Sequence, residues 1–311
     1  MNYRSILIAT AQTLGLFIAG ITIPLLGQIV ALFTPVPLIL LYVRSGKNES
    51  VIALLCASAV MGVLSGWQAA LILFFSFGLM AIGTGEGMRR DMKPEQTALL
   101  GGLLPIAVLG LITVFYIIRL GKSPVLVVEE YLRESVTTAA RTYTEYGLAE
   151  MAATINAVSD TFVHHLARLI PGILIATSMM QAASCYGIAR AILARKQPVE
   201  TTSAAAPLAL WHAPDTWVWG LIVSLALVVV PQEAVRFAGW NLAILFAVVY
   251  LAQGAAIVEH YFRKANINTV MRGLLLALIL AMPSIVFVIA LGIVDVWADV
   301  RKVRGPMQTP S

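Results

Sequence analysis

The chain has 311 residues, of which 59% are hydrophobic and only 12% charged. A soluble domain carries about 25% charged residues, so polar surface here is too scarce for a water-facing globule, and lipid must be the main solvent. The net charge of +5 does not point to nucleic acid, because Lys and Arg fall in short loops between apolar runs, as in membrane proteins.

A membrane-crossing helix needs about 20 apolar residues. Runs of that kind predict an all-α, polytopic transmembrane helix bundle of about eight membrane helices (range 7–9), near 6–32, 50–66, 68–87, 97–118, 166–192, 215–231, 237–258 and 272–297. The opening MNYRSILIATAQTLGLFIAG reads as a retained first helix, since its apolar run continues and no small-x-small cleavage site leads into a polar domain. Within it Ala11, Gly15 and Ala19 recur every four positions, as do Ser58, Gly62 and Gly66 in the second helix. Such stripes let backbones approach closely. They read as internal packing or, for Ala11, Gly15 and Ala19, as a docking face for a membrane partner.

Between the first two helices lies FTPVPLILLYVRSG, Phe33 to Gly46. Its apolar part is too short to cross, and Pro35 and Pro37 oppose a regular start. A re-entrant or interfacial segment is expected, and irregular backbone at that depth must be covered by protein or a wet cavity. The run GTGEGMRR, Gly83 to Arg90, lacks the strand and the Gly-Lys-Ser/Thr of a phosphate loop and reads as a flexible helix end.

The connection from Arg119 to His165 is long and polar. Val125, Val128, Leu132 and Val136 repeat at helical spacing, while Glu129, Glu130, Arg133 and Glu134 take the opposite face, which predicts an amphipathic helix followed by a second, weaker one. It reads as an external lid or as a surface helix covering the bundle. His164 and His165 lack further metal ligands nearby, and no metal or cofactor is expected. The Ala/Pro/Thr-rich stretch 194–214 reads as a flexible linker between a membrane part over 1–193 and a second over 215–304, with a disordered tail over 305–311.

Orientation follows from the basic loops. Arg44 and Lys47, then Arg89, Arg90 and Lys93, then Arg190, Arg195 and Lys196, then Arg263, Lys264 and Arg272 fall on alternate loops and are placed in the cytoplasm. The last apolar run is expected to cross once with a kink at Pro283. Doubling back would give halves of about 18 Å, too short to span. Cys56 and Cys185 each lie in an apolar run and read as small buried hydrophobes.

Polar groups inside the apolar runs are the candidate functional residues. A buried amide in lipid costs several kcal/mol unless hydrogen-bonded. Thr177 and Gln181 on the fifth helix and Asn241 and Gln253 on the seventh therefore need partners: one another, backbone, or a solute in a polar cavity. Asp295 and Asp299 sit four residues apart at a helix C-terminus, where the dipole opposes them. Basic partners are expected, with Arg301 nearest in sequence and Arg168 or Arg236 possible across the bundle. The group reads as a salt-bridged anchor or as a proton or cation site.

GIVDVWADVRK (Gly292 to Lys302), YLAQGAAI (Tyr250 to Ile257) and TPVPLILLYVRSG (Thr34 to Gly46) resemble the YybS-like (DUF2232) membrane proteins, a bacterial family of unknown function, over nearly the whole chain. The early Pro-x-Pro segment after a first helix with small residues is also similar to the S components of energy-coupling-factor transporters. The first resemblance implies a multi-pass protein of the bacterial cytoplasmic (inner) membrane and supplies no catalytic residue. The second implies small-molecule binding with a separate ATPase module, consistent with the lack of a Walker motif. The expected function is binding or transport of a small molecule rather than catalysis. The alternative is a non-catalytic envelope scaffold or assembly factor, and an intramembrane enzyme using Asp295 and Asp299 lacks a nucleophile or metal set.

Overall fold

A computed structural model describes residues 3–23, 26–121, 123–196, 211–281 and 284–301. The described residues form helices and no strands. Among the described residues six helices are long and apolar enough to cross a membrane, matching six of the eight expected crossings. The chain divides into two compact units, one of Met1–Ile170 with Thr177–Ser203, the other of Pro171–Ala176 with Ala204–Ser311.

The N-terminal unit starts with α1 (Tyr3–Thr22), followed by two short helices, α2 (Leu26–Ala31) and α3 (Val36–Arg44). The single run expected over 6–32 is thus broken. Pro24 in the sequence lacks the N–H that a continuing helix requires. The short pair runs back alongside α1. Gly27 would touch the Ala19 carbonyl at 2.7 Å if it carried a Cβ, whereas Ile6 and Ala9, at the start of α1, share a core cluster with Leu38, Ile39 and Leu41. Pro35 and Pro37 do not oppose α3. They occupy its N-cap and second position, where a missing N–H costs nothing. Val36, Leu38, Ile39, Leu41 and Tyr42 are all buried, so α3 is core rather than surface.

The next helix, α4 (Lys47–Ser65), runs parallel to α1, with Thr10 Oγ1 donating to the Ala53 carbonyl at 3.4 Å and Phe17 packing with Ala57 and Met61. Then come α5 (Trp67–Ile72), a π-helical turn over Leu73–Gly78, and α6 (Leu79–Arg89). The π turn wraps Leu73 and Gly78 into the core beside Leu54 and Met61.

GTGEG is not a loose helix end. Gly83, Gly85 and Gly87 are buried in α6. An added Cβ at Gly83 would meet the Leu100 carbonyl at 2.8 Å, and at Gly87 the Thr97 side chain at 2.8 Å, both on α7 (Pro94–Leu120). At Gly85 it would meet Tyr42 of α3 at 2.6 Å. Each glycine removes a side chain where two helices touch. Ala11 and Gly15, by contrast, face outward from this unit, and nothing lies within 4 Å of a Cβ built on Gly15. Cys185 is buried as expected, but Cys56 is exposed.

The amphipathic helix appears as α8 (Pro124–Glu145). The second external helix and the fifth crossing, expected as separate elements, are one helix, α9 (Ala149–Lys196), 48 residues long. A helix of that length measures about 72 Å, more than twice the ~30 Å hydrocarbon layer. The part of it apolar enough to cross is Ser159–Ala194, and the polar turns from Ala149 up to Ser159 fall outside that span. It pairs antiparallel with α8 through Arg133–Asp160 and Glu129–His164, around a turn where Gly147 takes φ +77°.

In the C-terminal unit, an irregular stretch from Trp211 to Thr216 leads into α10 (Trp217–Val229), which runs antiparallel to α11 (Glu233–Lys264). The last expected crossing is two helices, α12 (Thr269–Ala281) and α13 (Ile285–Ala298). Each is about 20 Å long and too short to span. Arg272, at the start of α12, pairs with Glu259 at 3.2 Å. At the far end of α13, the Tyr261 hydroxyl donates to the Val300 carbonyl at 3.1 Å. Both ends of the pair therefore lie beside the last turns of α11. The chain doubles back, and the preferred single kinked crossing is corrected. The half-length α13 survives because it packs on α11, so closely that a Cβ added to Gly292 would come within 2.9 Å of the Gly254 nitrogen. Pro283, most of the 194–214 linker (residues 197–210), Lys302, Arg304 and the 305–311 tail lie outside the described residues.

Candidate functional site

The sequence-selected amides share one task. In each case one partner is backbone, at a turn, beside a proline or just ahead of a helix. The turn between α2 and α3 strands the Leu32 carbonyl. It accepts from Gln181 Nε2 at 3.0 Å and from Cys185 Sγ at 3.2 Å, both on α9 within the N-terminal unit. Pro171 interrupts the α9 ladder, and in the C-terminal unit the neighbouring Gly172 N–H donates to Asn241 Oδ1 at 2.6 Å. Asn241 Nδ2 in turn donates to the Phe237 carbonyl at 2.8 Å. Ahead of α10, the Ala213 N–H donates to Gln253 Oε1 at 3.1 Å. Non-helical backbone at membrane depth survives only when such groups are satisfied. Thr177 lies on an exposed part of α9.

Gln253 differs from the other amides because charge stands behind it. Its Nε2 donates to Asp295 Oδ2 at 3.1 Å, and Arg301 Nη2 donates to the same oxygen at 2.9 Å. Asp295 Oδ1 accepts from the Val300 N–H at 2.9 Å, and Arg301 Nη1 donates to the Trp211 carbonyl at 2.9 Å. The side chains of Arg301 and Asp295 are 1% and 2% exposed. Gln253 stands eleven residues before Lys264, the last residue of α11, so the network lies about 16 Å inside that end.

The local sequence explains how the chain reaches this arrangement. Asp299 ends α13 in the left-handed region, with φ +37°, and turns the chain back on itself. That reversal brings Arg301 under Asp295. Arg301 is the partner expected from proximity; Arg168 instead contacts His164. Asp299 is half-buried, and its backbone N–H donates to the Asp295 carbonyl at 3.3 Å. Tyr250, one turn before Gln253 on the same helix, is fully buried, and among the described residues its hydroxyl has no hydrogen-bond partner. Sequence reasoning missed Tyr250 and the Trp211–Ala213 backbone. A tyrosine in an apolar run reads as ordinary packing, and backbone groups carry no residue-type signal.

A second polar cluster sits at one end of the N-terminal unit. The Tyr42 hydroxyl donates to Glu86, which also accepts from Arg90 Nε at 2.6 Å. Arg89 lies over the Tyr42 ring, 5.9 Å from its centroid. Among the described residues no three His, Cys, Asp or Glu side chains are grouped to hold a metal ion.

Long apolar helices, with polar side chains bonded to backbone between them and a buried Asp295–Arg301 pair, define a polytopic α-helical membrane protein. Its sequence matches the family described as "Predicted membrane protein (DUF2232)" over residues 11–296, and the chain belongs to that family. No curated protein matches the chain, and no solved structure does.

Proposed function

We propose that the chain is a carrier of the bacterial cytoplasmic membrane, binding a small solute at the Gln253–Asp295–Arg301 junction. The observation that carries this reading is a salt-bridged pair, both side chains sealed, at the C-terminal end of the half-length α13. Charges inside membranes are costly and mark solute or ion pathways. Interrupted helices ending at such charges are a recurring architecture of transporter sites. Gln181 and Asn241 are assigned to sealing backbone breaks rather than to the solute. Basic residues gather at one end of each unit: Arg44, Lys47, Arg89 and Arg90 in the first, Arg263, Lys264 and Arg272 in the second. Those ends are assigned to the cytoplasm. The return of α12–α13 puts Arg301 at the basic end of its unit, and the return of α2–α3 does the same for Arg4.

Lacking a Walker motif, the chain would draw nucleotide energy, if any, from a partner ATPase, as in S-component systems. The test is uptake into proteoliposomes of purified protein, with Gln253→Leu as control. Uptake that depends on Gln253 supports the reading. A failure of every solute class to enter, or to raise the unfolding temperature in detergent, rejects it.

A second reading, an envelope scaffold, is favoured by the projecting α8–α9 hairpin. Tyr131, Tyr146, Met151 and Phe162 are exposed there, and the same hairpin holds a groove of 480 Å³ lined in part by Arg141, Glu145 and Asn156. It predicts that charge reversal at Glu129 and Glu130 abolishes cellular function while Gln253→Leu leaves it intact.

A further inference from the structure

The first helix, α1, is one apolar element long enough to cross the membrane. Gln12 stands at its centre, with nine residues of the helix before it and ten after. Its amide therefore lies about 14 Å from either end, too deep to reach water. Gln181, Asn241 and Gln253 all hydrogen-bond to backbone. Gln12 is exposed and forms no hydrogen bond with any described residue. A bare amide in hydrocarbon is as costly as one buried dry in a core, so Gln12 requires a partner from beyond its own chain. We propose that this partner is a second copy of the chain: two α1 helices pack in parallel, and their Gln12 amides hydrogen-bond to each other across a two-fold axis. This interface is independent of the carrier and scaffold readings.

The depth and chemistry of Gln12 select a second copy over another membrane helix. Two copies in one membrane share an orientation, so a two-fold axis along the membrane normal sets Gln12 opposite Gln12 at the same level. An amide is both donor and acceptor, so each side chain can give one hydrogen bond and take one. A different helix would need a polar side chain at this one depth; a copy carries it by construction. The spacing fits as well. Ser5, Ile8, Gln12, Gly15 and Ala19 follow steps of three and four, the seam of a left-handed helix pair. Ile6, Ala9, Thr13, Phe17 and Gly20 form a separate seam, which is buried in the chain's own fold. On the outer seam Ile8 is 48% exposed, and a Cβ built on Gly15 meets nothing within 4 Å. That open space, one turn from Gln12, lets a second backbone come close enough for the amides to meet. A single polar residue in an apolar seam fixes the register and number of its strands, and Gln12 holds that role here.

The experiment uses the full chain in phosphatidylcholine vesicles. Protein labelled at the C-terminus with a donor or an acceptor fluorophore is mixed at falling protein-to-lipid ratios, and energy transfer reads dimerisation. A dimer is expected, weakened about tenfold by Gln12→Leu and also by Gly15→Val, but largely kept by Gln12→Asn. These variants alter only the outer seam, and thermal unfolding checks that each still folds. In a background lacking Cys56 and Cys185, oxidation is expected to join Gly15→Cys to its own copy. Gly110→Cys on α7, a position equally open, should stay unjoined. A monomer at every ratio overturns the dimer. Energy transfer unchanged in both Gln12→Leu and Gly15→Val, or equal joining at Gly110→Cys, overturns the assignment to this seam. Oxidation in cell membranes that joins Gly15→Cys to a different protein, and not to itself, overturns the second copy as the occupant.

Discussion

Asp295 and Arg301 meet at 2.9 Å with their side chains 2% and 1% exposed, six positions apart on a chain that has just reversed direction. A pair so placed gains little over an apolar substitute, because desolvation offsets the Coulomb attraction. Losing one partner is a different matter, since the other charge is then stranded. Arg301→Leu and Asp295→Leu are each expected to destabilise by about 3–5 kcal/mol, and the double variant by less than either single. Thermal unfolding of the four proteins in one detergent gives the cycle. Additive losses would mean that the pair is not sealed in solution.

The return of the last two helices makes a topological prediction. Asn266, in the α11–α12 turn, and Val300, beyond α13, should lie on the same side of the membrane, with Gln232 on the other. Single cysteines at these positions in a background lacking Cys56 and Cys185, labelled with an impermeant maleimide in right-side-out and inverted vesicles, read this directly. Val300→Cys labelled together with Gln232→Cys would restore the single crossing.

That return illustrates what a sequence can and cannot disclose. Hydropathy reports the solvent around a segment, not its direction. Leu274 to Leu278 and Val286 to Ile293 are equally greasy whether the chain continues or folds back, so the break was visible and the reversal was not. The same holds for α9. Its composition changes near His165, where water gives way to lipid, and one helix reads as two. The need for partners, by contrast, was plain. Gln181, Asn241 and Gln253 were costly enough in lipid to require hydrogen bonds. What stayed hidden was that the partners are backbone atoms of Leu32, Gly172 and Ala213. Unpaired backbone arises only where a helix breaks, and break positions follow from packing of the whole chain. The Asp295–Arg301 pairing was legible because both residues lie within one turn of each other's reach.

The glycines of α6 and α7 separate packing from flexibility. A Cβ on Gly102 would come within 2.8 Å of the Met179 backbone, and on Gly83 within 2.8 Å of the Leu100 carbonyl. Neither neighbour is a movable side-chain tip. Gly83→Val and Gly102→Val should each lower the unfolding temperature markedly, by about 1–3 kcal/mol or more of overpacking strain. Gly15→Val and Gly110→Val, with nothing within 4 Å, should be nearly neutral in detergent. A flexible helix end around GTGEG would instead tolerate Gly83→Val as readily as Gly15→Val.

Asn241 offers the sharpest test of the idea that intramembrane amides seal broken backbone. Its Oδ1 takes the Gly172 N–H at 2.6 Å, one residue past Pro171. Asn241→Leu leaves that donor unsatisfied in an apolar surrounding, at an expected cost of about 1–3 kcal/mol. If the demand arises from the break, repairing the break should remove it. Pro171→Ala restores an N–H and relieves the ring clash with the carbonyl of Ala167 four residues earlier, letting α9 close its own ladder. The loss caused by Asn241→Leu should then shrink by half or more in the Pro171→Ala background, measured as a coupling energy from four unfolding midpoints. Equal losses in the two backgrounds would show that Asn241 serves something other than the interrupted helix.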